Sequence, residues 1–491
     1  MKSNIIIGVI LLVLVAIIIV GLLYFPKKQY KPDVKYPVSQ IKSNHFGIRG
    51  YSEKFNELGF FATNIQGWNW SAIEPRAPVN GKSTYIENLD GNTKLKSILN
   101  SKTKVFFDIG PHNDWAFERD ENLTINHPGK DPKVYTEKAL MRIKPEYLDD
   151  WKNFVAYLVK KYSISYLLVN SEAENVWGSA DGYAEALCAA YESAKQANPD
   201  IKVVAGGFNL GGLVNVSDSV IKKYFLMSQE ELNKLPLATE RRAVQKMEVT
   251  LGTLAKGGNC FDILAIHHDH GVTYDTDQNI FDWYKQKMAA AGYDKPIWMD
   301  NMNNGYYPEF NSTSTTDIAL SNGLKNNNPD AIAMNNKELP MWMVKKAVGA
   351  FSAGVETVFL DTSADIDYFM PFWKYVGLLE IKDGAPKAAY YTAKILISKI
   401  SQYTKVEKLA GNNIGDHTYK FTLADNKIVV VAWSDAGDKT VDLSSIFNGN
   451  VKITHIVTEL DAQKNPIYIK DEIIPSKSIL LTKTPVFIER N

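Results

Sequence analysis

Tyr166-Leu-Leu-Val-Asn-Ser-Glu-Ala-Glu-Asn175 is an apolar run that stops at polar residues, with two carboxylates and no basic partner beside them. A strand buried on both faces reads as such a run, and in a (β/α)8 barrel the residue at its C-terminal end meets the cleft. Further along, Lys295-Pro-Ile-Trp-Met-Asp-Asn301 closes a second apolar run with an acid and an amide. A solvated loop carboxylate is the plainer reading of either end alone. The series of such ends is what outweighs it.

The other candidate strands are Phe60-Phe-Ala-Thr-Asn-Ile65, Val105-Phe-Phe-Asp-Ile109, Val203-Val-Ala-Gly-Gly207, Phe261-Asp-Ile-Leu-Ala-Ile266 and Thr357-Val-Phe-Leu360. A first strand near His45-Phe-Gly-Ile48 makes eight. Helical stretches at 148–161, 180–197, 282–291 and 341–350 alternate with them, the pattern of a parallel α/β protein. Segments 220–256 and 307–338 exceed a minimal unit and read as insertions, the second as a mobile polar loop near the cleft. Beyond Ala389-Tyr-Tyr-Thr-Ala-Lys-Ile-Leu-Ile-Ser398 the pattern becomes short strands between Asp, Asn and Gly turns, as in a small β-sandwich. The expected organisation is a barrel over 44–402 and an all-β domain over 403–491.

The 491 residues are 45% hydrophobic and 22% charged, enough for one large core and a smaller one. Zero formal net charge argues against nucleic acid as a partner. Two cysteines, Cys188 and Cys260, build neither a disulfide scaffold nor a metal knuckle; they are read as small buried apolar residues, with a single bridge between them as the less favoured alternative. Dinucleotide, P-loop and nucleophile-elbow motifs are absent, so no cofactor is expected.

Residues 5–25 carry no charge and are mostly Ile, Leu and Val, long enough to span a bilayer as a helix. The run ends in Gly21-Leu-Leu-Tyr-Phe-Pro-Lys-Lys28 with no Ala-x-Ala site, which favours a single-pass transmembrane anchor over a cleaved signal. Residues 26–43, rich in Lys, Pro and Tyr, read as a linker. Lys27, Lys28, Lys31 and Lys35 follow the helix, which by the positive-inside rule would hold the domain in the cytoplasm. The short N-terminal tail and a polysaccharide type of substrate favour the extracytoplasmic side, the orientation expected here.

Taken together, the strand ends resemble the retaining (β/α)8 glycoside hydrolase clan, in particular its β-xylosidase-like and cellulase-like families with a C-terminal β-domain. Trp68-Asn-Trp-Ser-Ala-Ile-Glu-Pro75 is similar to the clan's second-strand loop, Phe261 to His268 to its sixth strand, and Gly384-Ala-Pro-Lys-Ala-Ala-Tyr-Tyr391 to the approach to its last helix. At the fourth strand the resemblance lays Trp-Asn-Glu-Pro-Asn over Asn170 to Glu174, which implies Glu172 as acid/base, Ser171 in place of a sugar-binding Asn, and Glu174 as the fallback acid. A general acid must hold its proton at working pH, so the setting of Glu172 is expected to raise its pKa.

At the seventh strand the family's Thr-Glu becomes Asp300-Asn301. An amide cannot form a glycosyl ester. Three readings are open: Asp300 is the nucleophile if the strand bulges and re-aims it, an N-acetyl group of the substrate assists, or the barrel is inactive and binds glycan. On a regular strand Asp300 and Asn301 would face opposite sides. The carboxyl separation decides stereochemistry: ~5.5 Å supports retention and ~6.5–9.5 Å inversion.

Trp68 and Trp177 are the tryptophans expected to stack on sugar, and Asp108, His112, His267 and Asn301 to bind its hydroxyls. Adjacent residues in His267-His-Asp-His270 point to opposite sides, which disfavours a metal. The sequence therefore predicts a membrane-anchored O-glycosyl hydrolase acting on a β-linked oligo- or polysaccharide. The alternative is a degenerate barrel that binds surface glycan.

Overall fold

The computed structural model describes residues 44–65, 69–79, 82–86, 93–99, 103–126, 136–209, 240–268, 274–305, 315–365, 374–411 and 414–491. Eight parallel strands close into a barrel: β1 (Phe46–Arg49), β2 (Ala62–Ile65), β3 (Lys104–Ile109), β6 (Tyr166–Val169), β7 (Lys202–Phe208), β8 (Ile263–His268), β9 (Ile297–Asn303) and β10 (Thr357–Asp361). All eight are the strands read from the sequence. The gap in numbering is a hairpin, β4 (Phe117–Asn126) with β5 (Thr136–Ile143), which the sequence reading did not anticipate.

Alternation along the strands sorts the barrel into two apolar zones. Ala62, Phe106, Tyr166, Leu168, Val204, Ile263, Ala265, Trp298 and Phe359 fill the lumen, while Val105, Phe107, Leu167, Leu264, Met299 and Leu360 join the outer cluster under the helices. Gly47 is small because a Cβ there would lie 2.3 Å from the Phe359 ring. Helix Leu148–Tyr162 shows how the outer layer is built. Trp151, Phe154, Val155, Leu158, Val159 and Tyr162 form its buried stripe, with Asp149 and Asp150 in its first turn and Lys160 and Lys161 in its last. Trp151 Nε1 donates to Ala186 O of helix Ala180–Ala197, fastening the two together.

Two sequence expectations are corrected. The polar stretch expected to be a mobile loop instead contains helix Thr315–Lys325 and the start of helix Pro329–Ser352, which runs through Pro340. Asn328 caps the longer helix, accepting from the backbone N–H groups of Asp330 and Ala331. Cys188 and Cys260 are not separate thiols but a disulfide joining positions 72 residues apart. Residues 5–25, expected to form an anchor, lie outside the described residues. Among the described residues no helix is long and apolar enough to cross a membrane.

The C-terminal strands are β11 (Tyr403–Lys408), β12 (His417–Leu423), β13 (Ile428–Trp433), β14 (Lys439–Val441), β15 (Asn450–His455), β16 (Glu472–Pro475), β17 (Ile479–Leu481) and β18 (Val486–Arg490). Six form an antiparallel sheet in the order β11-β12-β13-β18-β15-β16, and β14 pairs with β17. Val430, Ala432, Val451, Ile453 and Ile488 on one sheet face pack with Val441, Ile479 and Leu481, making a small sandwich. The opposite face, with Tyr419, Phe421, Val431, Trp433 and Phe487, belongs to the same apolar cluster as the barrel's outer layer.

Candidate active site

The lumen residues one step beyond the apolar layer are polar: Asn64 on β2, Asp108 on β3, His267 on β8, Asp300 on β9 and Asp361 on β10, all buried. They gather at the C-terminal mouth of the barrel, where this fold carries its chemistry. Arg49, ending β1, lies 3.4 Å from Asp361 Oδ2.

The loop after β6 is wound tightly. Asn170 and Glu172 both take left-handed backbone conformations, at φ 59° and 53°. Such non-glycine conformations persist only where surroundings hold them. Here Asn170 Oδ1 accepts from Trp177 Nε1 at 2.7 Å, Ser171 N donates to Asp108 Oδ1 at 3.2 Å, and Glu172 N donates to Gly207 O at 3.2 Å. Gly207 has φ 61°, and a Cβ on it would lie 3.0 Å from His267 Nε2 and 3.1 Å from Ser171 Oγ. Glycine answers both demands.

His267 is the hub. Its Nδ1 lies 3.0 Å from Glu172 Oε1, and its Nε2 lies 3.1 Å from Ser171 Oγ and 3.4 Å from Asp300 Oδ2. Asn175 Nδ2 donates to the other Glu172 oxygen at 2.6 Å. Burial alone would lower His267, but Asp300 and Glu172 outweigh it and hold the imidazole well above its usual range. For Glu172, burial pulls upward. The hydrogen bond and charge of His267, with Asn175, prevail and bring its carboxyl down to about 2. The expected upward shift at Glu172 is therefore corrected: the proton of the pair resides on His267.

Three other carboxyls go the opposite way, each chiefly by burial. Glu174 rises to about 7, and Asp108 and Asp361 to about 6, the last two only partly offset by Arg49. Glu174 is wholly buried, with Oε1 accepting from Asn209 N at 2.9 Å. The side chain of Glu172 is 35% exposed, so of the two acids on this loop it is the one open to solvent.

Asp300 reaches the lumen with Asn301 beside it because β9 bulges. Ile266 pairs with Met299 but His267 with Asn301, and Val358 pairs with Met299 but Leu360 with Met302. One extra residue is thus absorbed on β9 against both neighbours. Met299 and Met302 both belong to the outer cluster and Trp298 to the lumen, which leaves Asp300 and Asn301 together on the inner side.

Trp177, expected to stack on sugar, is corrected: it is fully buried, edge-on to Phe117. Trp68 lies outside the described residues. His112 is half-buried in the loop after β3, and its carbonyl accepts from Ser71 N. Among the described residues no group of three or more His, Cys, Asp or Glu could hold a metal ion. Arg49 and Asp361 were not singled out from sequence, although both end apolar runs as Asp108 does.

No protein-family model matches this sequence, and no curated protein matches it. Solved structures do resemble it. A family 39 glycoside hydrolase from Bacteroides cellulosilyticus is 13% identical, with a TM-score of 0.57 over 92% of this chain and 81% of that one. A glucosidase from Croceicoccus marinus is 11% identical, with a TM-score of 0.52 over 93% and 98%. A monomeric β-xylosidase from Caulobacter crescentus is 14% identical, with a TM-score of 0.50 over 91% and 96%. The closed eight-stranded parallel barrel is thus a fold that this chain shares with these solved glycoside hydrolases.

Proposed function

We propose that this protein hydrolyses O-glycosidic bonds of a β-linked glycan. The observation that carries the reading is the line Glu172–His267–Asp300, two carboxylates about one imidazole at the catalytic end of the barrel. Glu172 touches the leaving oxygen and His267 supplies the proton through it, so the pair acts as the general acid. Asp300 faces the positive charge that builds at the anomeric carbon. Asp108, with Asn301, offers hydroxyl partners nearby.

A second reading, a barrel that binds glycan without cleaving it, draws support from Asn301 at the family's nucleophile position and from the complete burial of Asp300. A hydrolysis screen of aryl-β-glycosides and β-glucans with the parent, Glu172→Gln and Asp300→Asn separates the two. Turnover that falls about 10²–10⁴-fold in each variant is expected for acid/base groups. Saturable glycan binding without turnover, unchanged by both substitutions, would establish the receptor.

Residues 5–25 are proposed to tether the domain outside the cytoplasm. The Cys188–Cys260 disulfide supports that side, because such bonds persist in oxidising compartments. Protease protection of the domain in intact cells would overturn the orientation.

A further inference from the structure

The glycosidase reading leaves the Ser171 hydroxyl without a task, although it lies against the central imidazole. Its Oγ stands 3.1 Å from His267 Nε2, and Nδ1 of the same ring stands 3.0 Å from Glu172 Oε1. Asn175 Nδ2 donates to the second Glu172 oxygen at 2.6 Å and holds the carboxylate. Hydroxyl, imidazole and carboxylate therefore follow one another through the two ring nitrogens. A hydroxyl within hydrogen-bond reach of a base, itself oriented by a third group, is the arrangement that activates serine for acyl transfer.

The backbone supplies a second observation. Ser171 lies between β6, which ends at Val169, and the short helix Ala173–Val176. Its neighbours Asn170 and Glu172 both have positive φ, so the chain bends sharply and carries Ser171 at the bend. A tight strand-to-helix turn is how α/β-hydrolases present a nucleophilic serine, here without their flanking glycines. Ser171 is partly exposed. Gly207 keeps space open beside both reacting atoms, since a Cβ there would lie 3.0 Å from His267 Nε2 and 3.1 Å from Ser171 Oγ. At the same end of the barrel Asn64 Nδ2 and Asn303 Nδ2 are buried without acceptors, donors of the kind that a tetrahedral oxyanion requires.

We propose that Ser171 is the nucleophile of a second activity, hydrolysis of O-acyl esters, with His267 as its base and Glu172 orienting the ring. That the alcohol half is a sugar hydroxyl rests on the glycan reading above; the acyl transfer does not. Ser171 Oγ bonds to the ester carbonyl carbon while His267 Nε2 takes the hydroxyl proton. The tetrahedral adduct then breaks its carbon–oxygen bond to the alcohol, which leaves with that proton. Water attacks the acyl-serine and gives a proton to Nε2; the carbon–Oγ bond breaks and Oγ takes the proton back. One water is consumed, and one acid and one alcohol are released.

The two activities need opposite states of one ring. Glycoside cleavage uses the charged imidazole, whereas the base must be neutral, with its remaining proton on Nδ1 facing Glu172. Burial draws the ring toward the neutral form, but Asp300, 3.4 Å from Nε2, and Glu172 outweigh it. Asp108 on β3 and Asp361 on β10 add negative charge around the ring, and Arg49 on β1 opposes them. Ester turnover should therefore rise with pH beyond the ordinary histidine range while glycoside turnover falls. Asp300→Asn removes the foremost charge that holds the proton, so its ester profile should move toward neutrality.

The full-length protein is treated with a fluorophosphonate between about pH 6 and about pH 10, and its peptides are read by mass spectrometry. Hydrolysis of aryl acetates and release of acetate from an acetylated glycan are followed over the same range. An adduct on the peptide bearing Ser171 should form faster as pH rises. Aryl acetate turnover should fall on the order of 10²-fold or more in Ser171→Ala. No adduct on Ser171 at any pH, or equal turnover in Ser171→Ala and the parent, would overturn the esterase. Neither result touches the glycosidase reading, which is judged on glycosides. An unmoved profile in Asp300→Asn would reject His267 as the base. Cleavage of aryl acetates without release of acetate from the glycan would reject the sugar alcohol alone.

Discussion

At the scale of single residues, His267 decides how the site responds to pH. It keeps Glu172 ionised in the resting protein and, on the proposed mechanism, stores the proton that Glu172 delivers. The competent form is the protonated pair, which persists above neutrality because Asp300 and Glu172 raise the imidazole. In His267→Asn the downward pull on Glu172 is gone and burial still pulls up, so its pKa climbs from about 2 into the ordinary carboxylate range or above. The protonated acid then exists only at lower pH. The alkaline limb of kcat/KM should therefore move down, from well above the usual histidine range into the carboxylate range. A profile with an unmoved alkaline limb would show that the proton comes from elsewhere.

Among the elements, β9 determines which residues can act. Its bulge lets Asp300 and Asn301 share the inner face while Met299 and Met302 both stay under the helices. Deleting Asn301 should therefore preserve the apolar register: circular dichroism and melting should show a folded barrel close to the parent. Deleting Leu264 from β8, whose apolar alternation has no spare residue before His267, should leave no folded protein, because the residues to one side of the gap change faces. Equal loss of fold in both would refute the bulge.

The eight strand ends were legible because each is an apolar run halted by polar residues. Helix Ala180–Ala197, expected over 180–197, is confirmed with Ser179 as its cap and small residues along its buried side. The β4–β5 hairpin was not, since Phe117-Glu-Arg-Asp-Glu-Asn122 is too charged to read as strand. Helix Thr315–Lys325 and the first half of helix Pro329–Ser352 were masked by Asn, Ser and Pro340, where packing overrode those propensities, whereas the stretch 341–350 of the longer helix was read correctly. Glu172 and Asp300 were singled out as strand-end residues, and the family resemblance supplied their expected roles. The depressed pKa of Glu172 depends on a histidine 95 positions away, which no local reading reveals.

Over the whole molecule, the disulfide and the shared core govern stability. Cys188 sits in helix Ala180–Ala197 and Cys260 just before β8, so the bond closes a long loop across part of the barrel wall. Loop-closure entropy for that span is worth about 4 kcal/mol. Cys188→Ser with Cys260→Ser should lower Tm by several degrees in calorimetry, and the parent should show the same loss under strong reductant. An unchanged Tm in either case would mean that the bond does not constrain the unfolded chain.

The C-terminal sheet shares its inner face with the barrel: Tyr403, Phe421 and Trp433 lie in one apolar cluster with Phe351 and Val355. Lys345, on the barrel's long helix, reaches Asp435 at 2.6 Å, and Thr392 Oγ1 donates to Val457 O at 2.7 Å. Such a sheet is not cargo that recombination could add or discard. A lineage that lost it would expose the oily flank of its own barrel, so gene fusion and shuffling are expected to move the two halves as one heritable block.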